Sequence, residues 1–212
     1  MVLRYLRFTL LFGAFVPIHA AAAVTLHEVP VRVYDTTGMA VSVRTSALET
    51  ARVTLGAADV PVRWLDCGAR AMPTCETVTE PGERVLRIVR AGSPGSAVVT
   101  GAAALRSPRS LLPLGDAFVD LATQSGVLAT VYLDRVTALA DASGSSVASL
   151  LGYAIAHEIG HLLLGTNIHN TRGLMRALWS RDEVRRGRAA DWTFTESDAR
   201  AIRARLAAAR VR

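Results

Sequence analysis

Residues 156–176 read AHEIGHLLLGTNIHNTRGLMR, and how this stretch is read decides the fold. His157 and His161 are spaced so that, on a helix, both imidazoles leave one face a single turn apart. Two nitrogen ligands of one tetrahedral zinc ion need that spacing, and Glu158 stands beside them as a base for water. In a chain with 5 His, shuffling yields HExxH in roughly one of two hundred sequences, so the motif needs support from its surroundings. Upstream, SVASLLGYAIA is apolar nearly all round, with Ser145 or Ser146 as N-cap, which predicts a helix buried in the domain centre. An idle charge at Glu158 would be costly inside such a helix. Downstream, Gly165 offers a left-handed stop and His169 a candidate third ligand.

Outward from this stretch, the chain has 212 residues and a net charge of +6. All 24 basic residues are Arg. Residues 172–212 hold 11 Arg against 5 acids. No aromatic interleaving or nucleic-acid motif accompanies them, so the excess reads as solvated helix faces and no nucleic-acid partner is expected. Residues 1–23 read as an export signal: Arg4 and Arg7, a short apolar run from Phe8 to Val16, Pro17, then small residues at Ala20–Ala23. The run is too short to span a bilayer, so no stable membrane insertion is expected once it is removed. Residues 24–212 suffice for one domain, read as a monomer. In an exported chain Cys67 and Cys75 favour a disulfide closing the GARAMPT loop; the rival reading is a thiol capping the metal.

Periodicity supplies the other elements. Glu28–Tyr34 alternates as a strand. Ser46–Gly56 reads as a helix, with a Ser46/Glu49 capping box and a stripe of Ala47, Leu48, Ala51 and Leu55. Val60–Leu65 then gives a second strand, parallel to the first. Cys67–Gly82 reads as loop, Arg84–Arg90 as a third strand and 92–113 as a long Gly/Ser/Pro/Ala-rich loop. Leu114–Leu121 and Val127–Asp134 flank Gln124-Ser125-Gly126 as a hairpin. Trp179–Asp191 reads as an Arg-rich connection. The last helix opens at Thr195 with Asp198 in a capping box and a stripe of Ala199, Ile202, Leu206 and Ala209.

HEIGHLLLGTNIH followed by GLM resembles the metzincin zinc endopeptidases, whose motif is HExxHxxGxxH with a downstream Met-turn. In this chain one extra residue precedes the glycine and one follows it. FTESDARAIRARL resembles the opening of the last helix in matrixin-like members. The resemblance implies an α+β, zincin-like domain: a mixed, twisted five-stranded sheet with a backing helix, an active-site helix and a C-terminal helix. It implies Zn²⁺ held by His157, His161 and His169, with Glu158 as general base and Gly165 at the turn. Met175 would be an apolar floor beneath the ligands. Leu114, Gly115, Asp116, Ala117 and Phe118 would form an edge strand that pairs with an extended peptide. Residues 176–192 would wall the specificity pocket, where arginines would favour an acidic side chain.

For the third ligand, Glu196 and, more weakly, Asp191 compete with His169. Tyr153 reads as core, and Asn167 and Asn170 are candidates for orienting the loop. The expected function is a secreted zinc-dependent endopeptidase acting on peptide or protein substrates. The alternative is an exported zinc-binding or interaction module of the same fold without turnover.

Overall fold

The computed structural model describes residues 28–68, 73–77, 79–92 and 113–209. The expected signal segment 1–23 and most of the loop expected over 92–113 lie outside the described residues.

The order of elements is β1 (Val29–Asp35), α1 (Val41–Gly56), β2 (Val62–Asp66), α2 (Pro73–Glu76), β3 (Arg84–Val89), β4 (Gly115–Asp120), β5 (Ser125–Tyr132), α3 (Leu133–Ser143), α4 (Val147–Leu164), α5 (Arg181–Arg186) and α6 (Glu196–Ala209). A short 3-10 turn, Ala189–Asp191, precedes α6. The sheet has five strands in the order β2-β1-β3-β5-β4. β1, β2, β3 and β5 run parallel, and β4 closes the edge antiparallel to β5. The fold is α+β, as expected. Alternation explains the burial: Val29, Val31 and Val33, Leu86 and Ile88, and Ala129 and Val131 turn into the core. On β1, Arg32 points to the other face. It is buried there by an ion pair to Glu83 (2.8 Å) and a hydrogen bond to the Thr77 carbonyl.

α4 forms where its sequence pattern places it. The Ser146 hydroxyl accepts from the Ser149 amide, and Gly165 ends the helix at φ 63°, a left-handed conformation that costs glycine nothing. By length and hydropathy α4 could cross a bilayer, yet 72% of it is buried within the protein, so its apolar surface is used as core. α1 crosses it closely. A Cβ added at Gly152 would lie 2.5 Å from Thr50 Cβ and 2.6 Å from the Ala47 carbonyl oxygen.

Several expectations need correction. α1 begins at Val41, so Ser46 and Glu49 lie inside it and form no capping box. Asp35 and Thr37 build the preceding turn through the Thr37 and Met39 amides, which frees the chain to enter the helix early. The Ser46 carbonyl accepts from Thr50 Oγ1, and Glu49 forks onto Arg52. Leu48 is half-buried, and Thr54 joins Ala47, Ala51 and Leu55 in the buried stripe. The loop after Cys67 contains α2, and the region between β5 and α4 is a helix, α3, that was not anticipated. The Arg-rich connection contains α5, capped by a Ser180/Glu183 box. α6 keeps its Thr195/Asp198 box, but Ala209 is exposed and Leu206 only half-buried, because the helix runs past the body it packs on. Cys67 and Cys75 are joined in a disulfide.

Gly152 yields a test of sign. In a helix interior alanine is favoured over glycine by about 1 kcal/mol. Overpacking against an unyielding backbone costs about 1–3 kcal/mol. The nearest atoms include the Ala47 carbonyl, which cannot swing away, so Gly152→Ala should lower stability. A lower urea midpoint at unchanged m value would show it, and a higher midpoint would contradict the close α1–α4 crossing.

Candidate metal centre

His157 and His161 are both buried on α4. His157 Nδ1 lies 2.8 Å from the Leu174 carbonyl and His161 Nδ1 2.8 Å from the Thr166 carbonyl. A carbonyl oxygen only accepts, so each Nδ1 carries the proton and donates it. Each Nε2 is therefore a bare lone pair. His161 Nε2 is 3.1 Å from His157 Nε2 and 3.2 Å from His169 Nε2. Between the two α4 imidazoles no hydrogen bond is possible in these tautomers. The lone pairs converge on one point, an arrangement that a cation satisfies. Tetrahedral zinc with Zn–N near 2.0–2.1 Å sets its nitrogens about 3.3 Å apart, close to what the side chains already provide. The ligand atoms of His157, His161 and His169 all lie within 4.8 Å of one another, a group able to hold a metal ion.

Burial and mutual repulsion keep the imidazoles neutral. Desolvation, then the charge of His161, pushes His157 down to about 3. Desolvation pushes His161 down to about 4, against the hydrogen bond to Thr166. His169 stands on an exposed loop and is lowered by partial burial. Neutral imidazoles are the form that binds metal.

Glu158 is buried, and desolvation followed by the nearby Asp116 charge holds its carboxyl well above the usual carboxylate range. It lies under the edge strand. A Cβ on Gly115 would come within 2.7 Å of both Glu158 Cγ and Oε1, and 2.5 Å of the Thr130 carbonyl, so only glycine leaves room for this carboxyl. The exposed Asp116 accepts a hydrogen bond from Tyr132 Oη at 2.5 Å.

Met175 is fully buried, its Sδ 2.8 Å from where a Cβ on Gly160 would sit, next to His161 on α4. Trp179 sets its ring edge-on to His157 at 5.7 Å between centroids and edge-on to Trp192 at 5.0 Å. Tyr153, expected as core, is half-buried and stacks on Trp192 at 4.7 Å. A cleft of about 1030 Å³ opens over the three imidazoles and Glu158. It is lined by β4, by α3 and by residues 176–179 and 181. Leu114 precedes β4 and accepts from the Tyr132 amide, so the expected edge strand is present with its start shifted to Gly115.

The rival ligands stand elsewhere. Glu196 is exposed and pairs with Arg200 and Arg203, and Asp191 pairs with Arg176 at 2.9 Å. Of the arginines in 176–192, expected to attract an acidic substrate side chain, Arg176 is also flanked by Glu183, so its charge is largely met within the protein, whereas the exposed Arg181 lines the cleft as well. Asn167 lines the cleft, and Asn170 bonds to Asp198. The sequence reading missed the two orienting carbonyls, the α3 wall and, within the expected 176–192 wall, the place of Trp179 against His157. Of these α3 was findable: Leu133, Val136 and Ala140 recur at helical spacing before Gly144.

No family model matches the chain, and no curated protein matches it. Among solved structures, the crystal structure of archaemetzincin from Methanopyrus kandleri is similar, with a TM-score of 0.55 and 14% sequence identity. The match covers 88% of this chain and 99% of that one. At such identity the likeness is one of fold. The fold is that of a metzincin-like zincin. In that frame α4 is the central helix, β4 the sheet edge beside it, and the three imidazoles lie in the cleft between.

The depressed imidazoles give a pH dependence for metal-free protein. The unfolded chain takes up protons on both residues near pH 6.5, but the folded chain does so only near 3 for His157 and 4 for His161. Between these limits the unfolded state binds more protons, so stability rises with pH by about 1.4 kcal/mol per unit for each imidazole. Glu158 acts with opposite sign above 4.5, where the folded chain alone keeps the carboxyl proton. Two imidazoles outweigh one carboxyl. The urea midpoint of chelator-treated protein should therefore fall as pH drops from 6.5 toward 4.5, and a flat profile would refute the buried neutral pair.

Proposed function

We propose that this chain is an exported zinc-dependent endopeptidase. The observation that carries the reading is the convergence of three imidazole nitrogens beside a buried carboxyl under a sheet edge. His157, His161 and His169 would hold the ion, with Met175 as the apolar floor beneath them. Three neutral nitrogens suit zinc and leave one position for chemistry. A zinc ion held there supplies the Lewis acidity that acidifies water and polarises a carbonyl.

The chain's own groups supply the remainder. Glu158 takes a proton from the attacking water as the C–O bond forms, and delivers it to the amine nitrogen as the C–N bond breaks. Burial and the Asp116 charge hold this carboxyl well above the usual carboxylate range, the direction in which a carboxyl is tuned for proton transfer. The edge strand supplies the substrate track. The Tyr132 amide donates to Leu114, and Asp116 and Phe118 face Thr130 and Leu128. By antiparallel alternation those residues pair inward, and Gly115 and Ala117 turn their backbone groups outward to an extended peptide.

The pocket beyond the imidazoles is walled by Ala138, Leu139, Ala142, Ala177, Leu178 and Trp179. Arg176 is engaged by Asp191 and the exposed Arg181 is the other arginine on the lining, so the contacts of the wall itself suit an apolar substrate side chain. The Cys67–Cys75 disulfide supports export, since such bonds persist in oxidising compartments.

The test is a peptide-library digest with and without chelator. Cleavage that chelator abolishes and zinc restores is expected, with apolar residues enriched on one side of the cut. Glu158→Gln should keep zinc and lose roughly 10²–10⁴-fold in kcat. His161→Ala should lose both zinc and activity. Wild-type turnover in Glu158→Gln would end this mechanism. Gly115→Ala should keep zinc yet lower kcat, because the added methyl displaces Glu158; an unchanged kcat would show that the carboxyl is not positioned by this contact.

A further inference from the structure

His169 differs from the other two imidazoles. His157 and His161 stand on a rigid helix, each ring oriented by a main-chain carbonyl. His169 sits on an exposed loop, and among the described residues its Nδ1 has no hydrogen-bond partner. Its position must therefore come from the backbone that carries it. The next residue supplies two attachments. The Asn170 amide donates to the Met175 carbonyl at 2.8 Å, closing the loop on itself. Asn170 Nδ2 donates to both carboxylate oxygens of Asp198, each at 2.9 Å.

Asp198 is itself immobilised. It is buried in the first turn of α6, and its Oδ2 also accepts from the Thr195 amide (3.1 Å) and the Thr195 hydroxyl (2.6 Å). A carboxylate is favoured at a helix N-terminus. The far limb of the same loop is stitched to the same place, through the Leu174 amide and the Thr193 carbonyl at 2.8 Å. Leu174 in turn supplies the carbonyl that orients His157.

We infer that Asn170 and Asp198 form a clasp that positions His169, so that the metal affinity of the site is set in part from the C-terminal helix. The inference rests on the reading of His169 as a ligand. Its physical basis is the extended spacing from His161 to His169. A longer loop has more conformations, and an unrestrained imidazole on it would spend much of its time away from the other two. Two charge-assisted hydrogen bonds to a buried carboxylate remove that freedom. Asn170 and Asp198 are positioning residues and touch neither metal nor substrate.

Zinc dissociation constants from chelator competition test this without any substrate. Asn170→Ala should weaken zinc binding about 10–100-fold, the range for lost outer-shell partners. Asn170→Asp sets carboxylate against carboxylate and should weaken it at least as much. The exchange variant Asn170→Asp/Asp198→Asn returns an amide–carboxylate pair and should recover to within a few-fold of wild type. A merely structural role would lower the melting temperature of the metal-free protein without this pattern in affinity. His169→Ala is the benchmark and should be the weakest binder. Wild-type affinity in Asn170→Ala, no recovery in the exchange variant, or no loss in His169→Ala would each overturn the clasp. Protein that binds zinc with this pattern but cleaves no peptide would overturn the peptidase reading and leave the clasp standing.

Discussion

Helix α4 can be buried only if the two imidazoles and the carboxyl in its middle are satisfied where they lie. Thirteen of its 18 residues are buried, and the helix ladder uses up its backbone groups without helping these side chains. The Leu174 and Thr166 carbonyls answer for the outer nitrogens of His157 and His161. That solution fixes both tautomers and leaves the inner nitrogens as lone pairs facing one another. A polar defect in a core thus becomes a site able to hold a cation, and the chain after α4 is arranged around it.

The arrangement draws on both ends of the fold. Leu174 belongs to a loop that is stitched to the start of α6, so the last helix helps orient residues on the central one. On the opposite side β4 runs over Glu158 and can do so only because Gly115 lacks a side chain. One glycine therefore links the sheet edge, where a peptide could pair, to the buried carboxyl beneath it. The aromatic stack of Tyr153, Trp192 and Trp179 fills the remaining flank beside His157. These contacts are ordinary packing, but together they hold groups whose charge states are far from those in water.

Much of this was legible in the residues. Alternation marked the first strand, the Gln124-Ser125-Gly126 turn marked the hairpin, and a cap at Ser145 or Ser146, the Gly165 stop and the HExxH spacing marked α4. The elements that were missed are those whose local signal is weak or divided. The first five residues of α1 include Val41, Val43 and Thr45, residues with poor helix propensity, and its start is set by the Asp35–Thr37 turn. α3 follows β5 directly, so one apolar run served two periods. α5 is a helix of six residues whose Ser180/Glu183 box was hidden among arginines.

The sequence by itself determined the pair of imidazoles one turn apart, the adjacent carboxyl, and the burial of the helix bearing them, because helical spacing and hydrophobicity are local properties. It also narrowed the third corner to His169, Glu196 or Asp191. Only the tertiary structure placed His169 with the other two and sent the carboxylates to arginine partners, because that depends on where a loop returns after leaving the helix. The same holds for the orienting carbonyls, for Gly115 over Glu158 and for Asn170 on Asp198. Each joins residues far apart along the chain, through backbone atoms or vacant space that no side-chain pattern encodes.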